Sequence, residues 1–397
     1  MMAVVALVAV GLSGCVFDDA RRGGEEIIDE LTDAQFYDLP EDLPTGEPGE
    51  IIRARPILSA PAGSVAWRVI YHSRDLAGAD VPVAGIVVVP DAPAPEGGRT
   101  LVSWAHPTTG SAKDCGPSLE PNPFLAIEGL DELLLAGYAV AATDYQGMSV
   151  AGASSYLLGV TEGNNVLDAA RAARNLDGTQ IGESLLLWGH SQGGQASLFA
   201  AQQAATYAPE FDLLGVAVAA PAADLTTLIT DDIVDVSGVT ITAYALPAMM
   251  AAYADQYSQQ ELEAILTPAG LSATPEMAAM CLLTQTKEIH AIAGPLVGGY
   301  VTSDPASTEP WQTILQENSA GGSPIGVPIY VGQGLADTLV IPTATTGFVA
   351  TLCAAGESVQ FDTFAGVTHG LAAFAALPTV LGFFDAAVRA KAPANCA

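Results

Sequence analysis

Positive charge is scarce in this sequence. Its 397 residues carry 13 lysines and arginines against 44 aspartates and glutamates, for a formal net charge of −31 with histidine neutral. A surface that acidic repels phosphate backbones and anionic headgroups, which excludes nucleic acid as a partner. It suits a protein kept soluble in salt-rich surroundings, where screening lowers self-repulsion. Histidine is sparse as well, with five copies, and the five cysteines include no Cys-x-x-Cys pair. With no His-rich cluster beside them, no metal site is expected. No internal repeat and no low-complexity domain is visible, so a propeller is excluded. Hydrophobic residues make up 50% of the chain, enough for a sizeable core. The length fits one large α/β domain with an insertion, or two ordinary domains.

Long apolar runs are also missing. The stretch from Met1 to Leu12 ends at Leu12-Ser13-Gly14-Cys15 and holds no basic residue. It is too short to span a bilayer as a helix, yet long enough for the apolar part of an export signal. The small residues before Cys15 read as a lipoprotein processing site, with Cys15 as the lipidated residue. The expected location is therefore outside the cytoplasm, secreted or at the cell surface, and the only membrane contact expected is an anchor at Cys15. The other cysteines, Cys115, Cys281, Cys353 and Cys396, are even in number and widely spaced, as two disulfides would require, with three pairings open.

The stretch that organises the chain is Leu185-Leu186-Leu187-Trp188-Gly189-His190-Ser191-Gln192-Gly193-Gly194. An apolar strand enters Gly-x-Ser-x-Gly, and the alanine-rich run from Gln195 to Ala208 reads as a helix. Gly189 and Gly193 leave room for a sharp reversal that lifts the Ser191 hydroxyl above a sheet. The helix start adds backbone donors and the positive end of its dipole.

Around this point the pattern alternates. Val65 to His72 and Val81 to Val89 read as entry strands, Leu101 to Ala105 and Tyr138 to Thr143 as short buried ones. Leu125 to Ala136 and Asn164 to Leu176 have helical spacing. Leu213 to Ala219, Ile325 to Gly332 and Val359 to Phe364 are further strands. Thr343 to Ala355 is a helix, and Leu371 to Val388 a closing helix expected to break near Pro378. The alternation predicts an α/β fold with a central, mostly parallel sheet and helices on both faces. Ligands of such sheets bind at the carboxyl ends of the strands, where His106, Asp144 and Ser191 fall. Between about 224 and 322 the alternation gives way to helical pieces broken by Pro and Gly, more than a connection needs. We read it as a helical cap inserted into a core of residues 62–223 and 323–397. Residues 1–15 are then the signal segment and 16–61 a tether and N-terminal arm. Met249, Met250, Met277 and Met280 in the cap suit either an acyl-binding wall or helix packing.

A serine nucleophile needs a base, and the base an orienting acid. His369 follows the last strand on a glycine-flanked loop, Gly366-Val367-Thr368-His369-Gly370, and is the expected base. Asp337 follows the preceding strand and is the expected acid; Asp304 lies too far back and Asp362 inside a strand. The order Ser191, Asp337, His369 is that of an α/β-hydrolase. Of the other histidines, His72 lies within a strand and His290 in the cap. His190 is expected to point to the other side of the elbow in a structural role. His106, at a strand end facing the site, is expected to support the oxyanion loop.

Together these residues resemble the secreted lipases of the fungal lipase A type and their bacterial relatives. The resemblance runs from about Ile51 to Cys396. It is carried by Trp104-Ala105-His106-Pro107-Thr108-Thr109-Gly110, Asp114-Cys115-Gly116-Pro117-Ser118, Asp144-Tyr145-Gln146-Gly147, Tyr156-Leu157, the Ser191 elbow, Gly334-Leu335-Ala336-Asp337 and Thr368-His369. It implies an α/β-hydrolase with a helical cap, hydrolysing carboxylic esters that include acylglycerols. It also implies pairing of Cys115 with Cys281 and of Cys353 with Cys396. Pro107 stands where many such enzymes have glycine, and proline has no N–H to donate. The oxyanion donors are then Gln192 and one of Thr108, Thr109 or Gly110. No metal or organic cofactor is needed for this chemistry. The same residues could also serve a serine peptidase or an acyltransferase, and a non-catalytic surface-binding lipoprotein is the rival from another class.

Overall fold

A computed structural model describes residues 35–396. Cys15 and the proposed signal segment lie outside the described residues. Nine strands form one sheet in the order β1-β2-β3-β5-β4-β6-β7-β8-β9. Strands β1 (Ile51–Ile57), β2 (Ser64–Arg74) and β3 (Asp80–Pro90) are antiparallel to their neighbours. From β5 (Ala139–Thr143) through β4 (Arg99–Ala105), β6 (Ile181–His190), β7 (Asp212–Ala219), β8 (Ile329–Gly334) and β9 (Val359–Phe364) every pairing is parallel.

The central strands are apolar on both faces because helices cover both. Val102, Trp104, Leu186 and Trp188 point to one side and Leu101, Ala105, Leu185 and Leu187 to the other, as the two-residue period of a strand requires. The second face packs on α2 (Gly159–Asn175) and α3 (Gln192–Tyr207) through Val166, Ala170, Ala196 and Ala200. Small residues there let the helices approach the sheet closely. The first face is covered by α1 (Leu130–Leu135) and by the last helix, α11 (Ala372–Val388), with Val380, Phe383 and Phe384 buried.

Three local expectations are revised. Ile51–Ile57, read as part of the arm, is the sheet's edge strand; Arg53, Arg55 and Pro56 hide its alternation, and an edge is where a strand tolerates proline. Strand β8 starts at Ile329, after Pro328, which has no N–H for the ladder. Helix α11 runs on through Pro378 without a break. Pro378 leaves one carbonyl unpaired, that of Phe374, a residue 54% exposed, so solvent can take up the missing bond.

Between β7 and β8 lies a helical insertion. It comprises α4 (Leu225–Asp232), α5 (Val236–Ala252), α6 (Gln259–Glu263), α7 (Pro268–Ala278), α8 (Leu282–Ala293) and α9 (Trp311–Glu317). Side-chain caps start several of these helices, with Asp224, Asp235, Ser258 and Thr267 each accepting from backbone N–H groups of the first turn, which satisfies donors a helix leaves free. The insertion buries Tyr244, Leu246, Met277, Ile289 and Trp311 in a core continuous with the first face of the sheet. Helix α10 (Pro342–Ala354) follows β8.

Candidate active site

Strand β6 ends at His190 and α3 begins at Gln192, which leaves Ser191 alone to turn the chain. Its φ of 57° is a conformation that L-residues rarely adopt, at a cost of order 1–3 kcal/mol. The turn is held by Ser191 N donating to Ala219 O at 3.0 Å and Ala222 N donating to Ser191 O at 3.0 Å. A Cβ at Gly193 would collide with Ala105 O, and one at Gly189 with Gly193 O. The two flanking glycines are therefore required by close backbone approach.

The Ser191 hydroxyl stands 2.8 Å from His369 Nε2, and His369 Nδ1 stands 2.8 Å from Asp337 Oδ2. Asp337 is itself fixed. Its Oδ1 accepts from Leu339 N and Val340 N at 2.9 Å each, and Gln333 Nε2 donates to Oδ2 at 3.3 Å. The carboxylate therefore remains an acceptor aimed at the imidazole, as a base-orienting acid must be. Ser191, His369 and Asp337 come from the ends of three strands and meet at the carboxyl edge of the sheet.

A narrow apolar cavity opens from Ser191 between the core and the insertion. Leu228 and Ile229 of α4, Ile241 and Met249 of α5, and Leu315 of α9 form much of its wall. Of the four cap methionines named above, Met249 is the one that lines it; Met277 is buried within the insertion. Gln192 and Thr108 face the same cavity, and the Thr108 hydroxyl sits 2.7 Å from the Tyr156 hydroxyl. Thr109 points elsewhere: its hydroxyl donates to Cys115 O at 2.8 Å and its carbonyl accepts from Leu282 N at 2.8 Å. Gly110 packs on Cys115 and Cys281. These two cysteines form one disulfide, and Cys353 with Cys396 the other.

His106 is buried and does not line that cavity. Its Nδ1 donates to Pro107 O at 2.7 Å, and its ring packs 4.5 Å from that of Tyr145, whose hydroxyl donates to His106 O. Burial lowers its pKa to about 4, against the raising effect of the Pro107 and Asp144 carbonyls beside the ring. Next to it Asp144 is buried and pushed up to about 6 by desolvation, which outweighs bonds from Ser118 and Ser149. The two oppose each other in acid. Neutral His106 contributes stability that is complete above pH 6.5 and lost as pH falls through about 4, worth about 3 kcal/mol. Protonated Asp144 contributes a similar amount, about 3 kcal/mol, complete below pH 3.8 and lost as pH rises through about 6. Asp144→Asn removes the second effect and exposes the first. That variant should lose thermal stability more steeply than its parent between pH 7 and 4, read by circular dichroism melts. Parallel slopes would show that the two groups do not titrate in this way.

Sequence reading missed two acids packed beside the elbow, Glu162 buried and Glu128 half-buried. Glu162, in the first turn of α2, accepts from Gln192 Nε2 at 2.7 Å and Leu157 N at 3.2 Å, and desolvation holds its carboxyl well above the usual range. Glu128 pairs with His190, whose ring lies beside that of His369 at 5.0 Å and not on the other side of the elbow. No spacing in the chain marks either acid, since each is recruited by packing. Among the described residues no group of three or more His, Cys, Asp or Glu is placed to hold a metal ion.

Comparison with known proteins agrees with this architecture. Residues 127–395 match the family described as secretory lipase. Lipase A of Moesziomyces aphidis is 22% identical over 392 residues, covering 91% of this chain and 81% of that one. A secreted triacylglycerol lipase of Malassezia globosa is 25% identical over 88% of this chain and 77% of its own. A probable inactive lipase of Mycobacterium tuberculosis is 24% identical over 83% and 76%. Among solved structures, Candida antarctica lipase A in its closed state superposes with a TM-score of 0.75 at 20% identity, covering 92% of this chain and 88% of that one. The rice cell wall degrading esterase of Xanthomonas oryzae gives 0.72 at 18% identity, covering 87% and 100%. The fold is shared with these solved structures, and by the family match over most of its length the chain belongs to the secretory lipase family within the α/β-hydrolase superfamily.

Proposed function

We propose that this protein is an exported serine ester hydrolase acting on acylglycerols and other neutral esters through an acyl-enzyme on Ser191. The observation that carries the reading is the hydrogen-bonded chain from Ser191 through His369 to Asp337, set at the mouth of an apolar cavity. His369 takes the Ser191 proton as the hydroxyl attacks the ester carbonyl, while Asp337 holds the imidazole in the tautomer with Nδ1 protonated. The oxyanion forms against the backbone N–H of Gln192 and, on the other side, that of Thr108. Thr108 is preferred over Thr109 and Gly110 because it faces the cavity while they are engaged with the disulfide. His369 then protonates the departing alcohol and activates water to release the acid. No cofactor takes part in these steps.

The cavity gives the substrate its orientation. Its aliphatic wall suits an acyl chain, and the strong negative charge of the protein disfavours anionic phospholipid relative to neutral esters. Each methylene drawn from water is worth about 0.8 kcal/mol, so kcat/KM should rise about fourfold per methylene until the cavity is full. The test is a series of p-nitrophenyl esters and triacylglycerols with acyl chains from acetyl to palmitoyl, with proline-containing peptide amides and alcohol acceptors alongside. A rising, then level, ester series supports the reading. Turnover of the peptides with none of the esters would replace it with a peptidase, and ester product formed only with an added alcohol would make it an acyltransferase. Absence of turnover in every arm would favour a binding lipoprotein.

A further inference from the structure

Resting on the reading of His369 as base, we propose that Glu128 and His190 are a positioning pair that holds the base on the nucleophile. The base needs such support. His369 opens a 3₁₀ turn, His369–Leu371, that runs into α11, and it follows a loop in which Ala365, Gly366 and Thr368 are exposed; a segment with so little packing depends on its hydrogen bonds for its position. Asp337 fixes the ring from Nδ1, while the backbone around it is tied by Ala336 N donating to Val367 O and Ala372 N donating to His369 O. His190 adds a side-chain bond from the elbow itself to that same carbonyl. Its Nε2 lies 3.1 Å from His369 O, its side chain is 2% exposed, and its ring lies against that of His369 at an interplanar angle of 40°.

The direction of that hydrogen bond is set by the carbonyl. A carbonyl can only accept, so His190 Nε2 must donate. On the far side, His190 Nδ1 is 3.0 Å from Glu128 Oε2. Both ring nitrogens therefore face oxygen, and the contact with Glu128 fixes the ring orientation that aims Nε2 at His369 O. Glu128 is anchored in turn, because Trp188 Nε1 donates to its carbonyl at 2.9 Å and Trp104 Nε1 donates to Ala126 O at 2.9 Å. Both indoles are fully buried on neighbouring strands β4 and β6. A rigid path thus runs from the sheet, through residues 126–128, to the backbone of the base. His190 and Glu128 touch no reacting atom, so they act by placing His369, where an error of 1 Å costs on the order of 10²-fold in rate.

The experiment compares His190→Leu, His190→Gln, Glu128→Ala and Glu128→Gln with the parent on a soluble p-nitrophenyl ester. Active enzyme is counted by burst titration, folding is followed by thermal melts, and Ser191→Ala is run in parallel. Leucine fills the space without donating, and glutamine keeps a donor. His190→Leu should lower kcat by about 10 to 100-fold with KM within about twofold, and His190→Gln should recover part of it. Glu128→Ala should lower kcat by about tenfold, with Glu128→Gln returning to within about threefold. Should His190→Leu fail to fold, the two Glu128 variants decide alone. Parental kcat in Glu128→Ala, or a fall in kcat/KM residing entirely in KM, overturns the pair as a positioning device. Turnover surviving in Ser191→Ala overturns the nucleophile assignment itself, which separates that failure from failure of the pair.

Discussion

Ester turnover should fall by a factor on the order of 10⁶ when Ser191 is replaced by alanine, with the protein still folded. The hydroxyl has one polar partner in the site, His369 Nε2, so its removal leaves no buried group stranded. His369→Ala should cost a similar factor, on the order of 10⁶, because a serine without its base is a poor nucleophile at neutral pH. Asp337→Ala should cost less in rate, about 10⁴-fold, since the imidazole can still visit the productive tautomer. It should cost more in stability, however. Leu339 N and Val340 N both donate to Asp337 Oδ1, and leaving buried donors unpaired costs about 1–3 kcal/mol. Replacing all three together should cost little beyond Ser191→Ala, because they act as one unit. Pre-steady-state and steady-state kinetics on p-nitrophenyl esters, with melting curves, check each point. A His369→Ala protein with parental rate, beside another histidine variant without it, would reject the assignment. The match to a probable inactive lipase at 24% identity gives this test its weight: likeness along the fold does not carry activity, and the three side chains are what must be interrogated.

Parts of this architecture could be read directly from the chain because they depend on local chemistry. The elbow was legible since Gly189 and Gly193 admit backbone that any side chain would block, and an apolar strand leads into them. The order of Ser191, Asp337 and His369 followed from where each strand ends. Features set by contacts distant in sequence were not legible. Strand Ile51–Ile57 looks polar at Arg53 and Arg55, and it is a strand because Ser64–Arg74 offers it an open edge. Glu128 and Glu162 look like two more acids among 44, yet each is folded against a residue next to Ser191, His190 and Gln192. His190 was visible in the motif, but its direction depends on where the loop carrying His369 returns, 178 residues after Ser191. That Thr108 faces the cavity while Thr109 and Gly110 lie against Cys115 likewise depends on the location of the Cys115–Cys281 bridge.

That bridge underlies the other large effect. Cys115 and Cys281 are 166 residues apart in sequence, and Cys353 and Cys396 are 43 apart. The entropy removed from the unfolded chain amounts to about 5 kcal/mol for the longer loop and about 4 kcal/mol for the shorter. Cys115→Ala/Cys281→Ala should therefore lower unfolding free energy by several kcal/mol, read by urea melts, and the shorter bridge should follow not far behind. The two differ in what else they hold. Cys115 O accepts the Thr109 hydroxyl, Leu282 N donates to Thr109 O, and Ser111 Oγ donates to Ala278 O, so the longer bridge fastens the Thr108 loop to the insertion. Removing it leaves the loop on these hydrogen bonds alone, and kcat should fall by about tenfold even where the protein is fully folded. The shorter bridge joins α10 to the chain end, and Asn395 holds that end to β9 independently by bonds with Val359 and Phe361. Its loss should leave kcat unchanged. Thiol titration of the denatured, unreduced protein lacking Cys15 should return no free cysteine. Equal kcat in the two double variants would detach the Cys115–Cys281 bridge from the oxyanion loop and leave it a purely structural tie.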